Sequence, residues 1–149
     1  GINNIAIGHA SLCANTTGLN NTAVGVSSLK ANTSGCQNTS LGTSSLPANT
    51  TGIDNVGVGQ QTLFSNISGN NNTAVGRASL LCNTTACNNT AVGNLALFTN
   101  STGQSNTAVG RSALLSNTTA NKNTAVGFNA LFNGTTAATL LVVKMWRLV

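Results

Sequence analysis

Asn89-Thr90-Ala91-Val92-Gly93-Asn94-Leu95-Ala96-Leu97-Phe98-Thr99-Asn100-Ser101-Thr102-Gly103-Gln104-Ser105 is followed at once by Asn106-Thr107-Ala108-Val109-Gly110, the same opening displaced by 17 residues. The step holds along the chain in both directions. Gly8, Gly25, Gly42, Gly59, Gly76, Gly93, Gly110 and Gly127 keep it without a slip. Four residues before each stands an Asn: Asn4, Asn21, Asn38, Asn55, Asn72, Asn89, Asn106 and Asn123. Four residues after each stands a Leu: Leu12, Leu29, Leu46, Leu63, Leu80, Leu97, Leu114 and Leu131. Seven after it comes a second Asn: Asn15, Asn32, Asn49, Asn66, Asn83, Asn100 and Asn117.

Each column has a physical reading. Thr-Ala-Val is a short, largely β-branched strand, and the Gly after it supplies a bend or a close backbone approach. A second short strand is expected to run to the Leu. Asn-Thr-Thr-Gly then reads as a turn, because Asn and Gly tolerate positive φ and Thr hydroxyls bond local backbone. One such unit cannot bury its apolar face alone, but parallel stacking sets Leu on Leu, Val on Val and Asn on Asn. Asn amides stacked this way form ladders in which each donates to one neighbour and accepts from the other. The expectation is an all-β, parallel β-solenoid of about eight rungs over residues 1–133, roughly 38 Å long at about 4.8 Å per rung.

The recurring Asn-Thr-Ala-Val-Gly, with the opening Asn4-Ile5-Ala6-Ile7-Gly8-His9-Ala10-Ser11-Leu12, resembles the head repeats of YadA-like trimeric autotransporter adhesins. It is also similar to repeats of phage tail-fibre proteins. The adhesin resemblance implies a left-handed parallel β-roll, three chains side by side, surface display and attachment. Here each unit is longer by an added Asn-Thr-Thr-Gly turn.

Composition narrows the function. The chain has 149 residues, 5% charged and 3% aromatic, against roughly 25% charged in an ordinary soluble domain. Its net charge of +5 comes from scattered Lys30, Arg77, Arg111, Lys122, Lys144 and Arg147, with no basic run interleaved with aromatics, so nucleic acid is not an expected partner. No apolar run reaches the roughly 20 residues of a membrane span. The single acid, Asp54, and single histidine, His9, cannot assemble a carboxylate pair or a Ser-His-Asp set, so neither catalysis nor a metal or other cofactor is expected.

Two kinds of modification are expected. Every Asn of the turn column (Asn15, Asn32, Asn49, Asn66, Asn83, Asn100, Asn117) is followed by x-Ser/Thr without Pro, which predicts an N-glycan column along one edge. Turn chemistry alone accounts for the same residues equally well. Asn20, Asn38, Asn71, Asn88 and Asn133 add irregular sequons. Cys82 and Cys87 flank one turn, and Cys13 and Cys36 take nearly the same places on neighbouring rungs, so each pair is a candidate disulfide.

These readings point to an extracellular structural fibre segment. It would be displayed on a cell or virion surface, would self-associate as a trimer or end to end, and would contact host-surface or matrix ligands. The chain opens in mid-repeat, as expected of a piece of a longer filament. The competing class is a binding module for ice or a polysaccharide, built on the rank Thr22, Thr39, Thr73, Thr90, Thr107 and Thr124. Ile5 and Val56 interrupt that rank, and a thermal-hysteresis assay separates the two classes.

Residues 134–149 depart from the repeat. An anchor or a strand cap would suit their apolar composition, but the genetic code offers another origin. Read from third bases beginning in Ala138, the codons permit Asn-Thr-Thr-Gly-x-x-Asn-Val-Ala-Val-Gly, which matches Asn55-Val56-Gly57-Val58-Gly59. The tail is therefore expected to be a frameshifted further repeat. Sequencing of the coding DNA is predicted to yield that peptide in the shifted frame; codons incompatible with it end the idea.

Overall fold

The structure is a computed structural model that describes residues 1–134 and 141–143. It is a parallel β-solenoid, all-β, with no helix among the described residues. Its strands are β1 (Ile5–Ile7), β2 (Thr22–Val24), β3 (Thr39–Leu41), β4 (Val56–Val58), β5 (Thr73–Val75), β6 (Thr90–Val92), β7 (Thr107–Val109), β8 (Thr124–Val126) and β9 (Leu141–Val143). They form one sheet in chain order, each strand parallel to the next. Thr22 pairs with Thr39 and Val24 with Leu41, and the same 17-residue register continues to Val126 and Val143. The tail is otherwise outside the described residues, and with it the frameshift reading, except that Leu141–Val143 continues the sheet in phase.

Alternation along a three-residue strand decides what faces inward. In β2 Ala23 is buried between the partly exposed Thr22 and Val24, and the pattern recurs in β5, β7 and β8. A small inward residue leaves room for the Leu column, whose Leu29, Leu46, Leu63, Leu80, Leu97 and Leu114 are essentially inaccessible to solvent. The expected second strand is not there. The backbone after each Gly turns twice instead, with Ser28 N donating to Gly25 O and Asn32 N to Leu29 O. The reason is conformational: Ser27 and Leu29 sit at φ of 56° and 47°, and their counterparts in every coil are also left-handed, which no strand accommodates.

A left-handed Leu is unusual, at roughly 1–2 kcal/mol of backbone strain per residue. Glycine would relieve it but would empty the core, and truncating a buried Leu costs about 2–5 kcal/mol. The loss of core packing outweighs the strain, so Leu stays at the turn. Glycine is reserved for the corner beside the strand. There φ runs from 114° to 136°, and a Cβ on Gly25 would lie 2.6 Å from the carbonyl carbon and oxygen of Gly42 in the next coil. Both expectations for that column, bend and close approach, are met.

The interior is as polar as it is apolar. Two Asn ladders run through it. In one, Asn38 Nδ2 donates to Asn21 Oδ1, Asn55 to Asn38 and Asn72 to Asn55, each at 3.1 Å. In the other, Asn32 Nδ2 donates to Asn15 Oδ1, Asn49 to Asn32 and Asn66 to Asn49, each at 2.9 Å. The second hydrogen of each amide goes to a shared acceptor: Gly52 O receives Asn38 Nδ2 at 2.8 Å and Asn49 Nδ2 at 3.1 Å. Among the described residues no buried side-chain nitrogen or oxygen lacks a partner.

Replacing one rung removes several of these bonds at once. Asn66→Ala strips Asn49 Oδ1, Gly69 O and Asn83 Nδ2 of a partner. Asn49 Oδ1 is then orphaned, at about 1–3 kcal/mol, while Gly69 O keeps Asn55 Nδ2 and Asn83 Nδ2 keeps Ala86 O, so those two lost bonds cost about 0.5–1.5 kcal/mol each and a total of roughly 2–6 kcal/mol is expected in urea unfolding. Thr85→Ala, on the exposed part of the next turn, should stay within about 0.5 kcal/mol of the parent. Equal effects from the two substitutions would contradict the ladder's role.

Candidate interaction faces

In-register stacking turns each outward position of the coil into a column along the rod, so any function lies in columns. The strand face presents Thr22, Thr39, Thr73, Thr90, Thr107 and Thr124 in one rank, interrupted by Val56 and by an exposed Ile5. Ile7, Val24, Leu41, Val58, Val75, Val92, Val109 and Val126 form the rank beside it. Leu41 is 47% exposed, so the face carries apolar surface as well as hydroxyls.

The turn edge faces the other way from what the sequons predict. Asn32, Asn49, Asn66, Asn83, Asn100 and Asn117 are fully buried, and only Asn15, in the first coil, is partly open. Asn83 Nδ2 donates to Asn66 Oδ1 at 2.8 Å and to Ala86 O at 3.1 Å, using both hydrogens of the atom a glycan would occupy. Of the expected glycan column, Asn32, Asn49, Asn66, Asn83, Asn100 and Asn117 thus have their amides turned into the coil, and only Asn15 is partly open. These residues are Asn because the ladder needs a group that both donates and accepts. Hydroxyls that follow these Asn residues also work between coils: Thr33 Oγ1 donates to Thr50 O at 3.1 Å and Thr84 Oγ1 to Ser101 O at 3.2 Å. Nor does the turn use positive φ at its Asn or Gly. That conformation falls at Asn20, Asn71 and Asn88, which are exposed at φ of 56°, 56° and 62°. Of the other irregular sequons, Asn38 is buried in a ladder and Asn133 is exposed.

The cysteines depart from expectation. Cys13, Cys36, Cys82 and Cys87 are all free, so neither expected disulfide is formed. Cys36 and Cys87 occupy one column of the coil, where their sulfurs receive Leu19 N and Asn70 N, each at 3.3 Å. Asn70 and Asn121 do the same in that column, accepting Ile53 N at 2.8 Å and Gln104 N at 2.6 Å. The thiols thus stand in for an amide oxygen as caps on the coil before. Cys13 donates to Lys30 O at 3.5 Å, and burial pushes the Cys82 thiol up from its ordinary pKa.

Charged side chains are dispersed. His9 and Asp54 are exposed on different coils, and the described residues contain no group of three His, Cys, Asp or Glu able to hold a metal ion. Arg111 lies over the ring of Phe128 at 5.5 Å, a neighbouring-coil cation–π contact. A shallow polar groove between two C-terminal coils is lined by Thr102, Gln104, Ser105, Thr119, Asn121 and Lys122.

One column is not evident from residue identity. The residue after the core Leu is Cys13 and then Lys30 in the first two coils, but Pro47, Phe64, Leu81, Phe98, Leu115 and Phe132 in the next six. Phe64 and Phe132 are each 38% exposed, and the other four are half-buried. The signal is present at the same 17-residue step. It is masked because the position varies in residue type while keeping its apolar character.

Thiol counting tests the corrected chemistry. Alkylation of the folded chain without reductant is expected to modify four thiols, Cys13 ahead of Cys82, whose raised pKa leaves less thiolate at a given pH. Peptide mapping should find Asn32 to Asn117 of the turn column unmodified. A mass lower by two hydrogens per bridge, or sugar on those residues, would contradict the structure. No protein family, curated protein or solved structure matches the chain, so its columns alone carry the functional reading.

Proposed function

We propose that the chain is a structural segment of an extracellular fibre, displayed on a cell or particle surface, whose repeated outward columns make adhesive contacts. The observation that carries this reading is the pair of Asn columns that bond every coil to the next: the turn amides chain from Asn15 to Asn117, and each strand-column Oδ1 accepts the backbone N–H of the Asn one coil on. Such a core makes length the variable. Each added 17-residue coil extends the rod by about 4.8 Å without a new fold. A repeated, sparsely charged surface is suited to many weak contacts in line, whose summed avidity exceeds any one of them. In this reading the partners are further copies of the chain and host-surface or matrix ligands, and the role is mechanical, not catalytic.

Display is the part that an experiment reaches most directly. Gold-labelled antibodies against the chain, applied to intact source cells or particles, are expected to mark filaments projecting from the surface. Label that appears only after the surface is breached would overturn the proposal.

A further inference from the structure

We infer that the column Pro47, Phe64, Leu81, Phe98, Leu115 and Phe132 is a seam through which two copies of this chain pair side by side and antiparallel. The inference deepens the fibre reading, on which it rests for its purpose, by naming the surface and the partner.

The register places these six side chains at one angular position on successive coils, a stripe of roughly 24 Å at about 4.8 Å per step. Its turn-side flank is neutral, and on the other flank Arg77 and Arg111 stand four residues before Leu81 and Leu115. The turn residues that follow each member (48–52, 65–69, 82–86, 99–103 and 116–120) include no charged side chain, and Ile67 adds a 48% exposed apolar group. Lys30, exposed in the same column, closes the stripe beside Pro47.

Alternation fixes the arrangement. From Pro47 to Phe132 every second member is Phe and those between are smaller. A twofold axis perpendicular to the rod, passing between Leu81 and Phe98, sets Phe132 against Pro47, Leu115 against Phe64 and Phe98 against Leu81. Each contact then joins one ring to one smaller apolar side chain at every rung. A parallel twofold pair would instead oppose Phe to Phe and Leu to Leu. A parallel pair slipped by one coil would restore the match but would leave the interface open and unclosed. The antiparallel pair alone is both matched and closed, as an isologous dimer must be.

The area is modest. With Phe64 and Phe132 each 38% open and the other four members less so, out of roughly 150–250 Å² for an aromatic, the stripe and its flanks offer at most about 500 Å² per copy. Pairing would bury at most about 1,000 Å², below the roughly 1,200–2,000 Å² of a stable interface, so a weak, reversible dimer with a dissociation constant on the order of 1–100 µM is expected.

Sedimentation of the full chain over that concentration range tests the seam. The column already holds Lys30, so Phe64→Lys places there a residue that the coil is known to carry. Phe64→Lys and Leu115→Glu are each expected to weaken dimerisation by at least about tenfold while leaving the melting transition near the parent's. Mixing the two variants should restore a dimer, because the antiparallel register sets the introduced ammonium of one chain beside the introduced carboxylate of the other. A parent chain monomeric throughout, or a dimer indifferent to Phe64→Lys, overturns the seam. Single variants that weaken pairing but show no recovery on mixing overturn the antiparallel register. Surface labelling that succeeds with a monomeric chain leaves the fibre reading intact without the seam, and a dimer found with interior labelling does the reverse.

Discussion

The structure depends on how an amide satisfies itself when it is buried. A side chain sealed inside a parallel stack must both donate and accept along the stack axis, and must do so identically in every coil. Asn is the shortest side chain that does so and still has a second hydrogen to give to the backbone. Its Oδ1 takes a hydrogen from one neighbour, its Nδ2 gives one to the other, and the remaining hydrogen turns to a backbone carbonyl. The carbonyl of Gly35 shows how the two ladders are joined: Asn21 Nδ2 reaches it at 2.8 Å and Asn32 Nδ2 at 2.9 Å. Everything else in the coil is arranged around that node. The strand supplies one Asn, the turn supplies the other, and the small residue at the node keeps the two close.

The same shortage of space explains where the repeat is allowed to vary. Ser28, Ser45 and Thr62 face the core in the early coils, where Ala96, Ala113 and Ala130 stand later. The hydroxyls need acceptors and find them within the stack: Ser28 Oγ lies 2.7 Å from Ser40 Oγ, and Ser45 Oγ 2.7 Å from Thr62 Oγ1. Where the Ser45 and Thr62 hydroxyls meet, the strand position opposite them is Gly57 in place of Ala. A Cβ there would fall 2.8 Å from Thr62 Oγ1 and 2.6 Å from Ser45 Oγ. One departure from the consensus accommodates another.

Much of this was legible in the residues alone. The 17-residue step, the buried Leu column, the Gly corner and the Asn4-to-Asn123 ladder follow from spacing and from what each side chain can do when stacked. The misreadings share one physical cause: they turn on direction, which spacing does not encode. A motif such as Asn-Thr-Thr is the same string whether its Asn points out to carry sugar or in to carry a ladder. Cysteines near in sequence are candidate bridges until their sulfurs prove occupied by backbone amides. The second strand failed because φ at Ser27 and Leu29 is left-handed, a conformation that propensity assigns to Gly or Asn and not to Leu. The outward Phe and Leu stripe was readable at the same step, once a column is defined by polarity instead of identity.

The central claim is that buried Asn amides hold the coils together, and side-chain amide hydrogen exchange observed by NMR addresses it atom by atom. Nδ2 protons of the fully buried Asn21, Asn38, Asn55, Asn72, Asn89 and Asn106, and of Asn32, Asn49, Asn66, Asn83, Asn100 and Asn117, are predicted to exchange only as the coil opens. Those of exposed Asn20, Asn71, Asn88 and Asn121 should exchange at the rate of a free amide. Equally fast exchange at both sets would mean that the ladders do not exist in solution, and the explanation of this fold would fail with them.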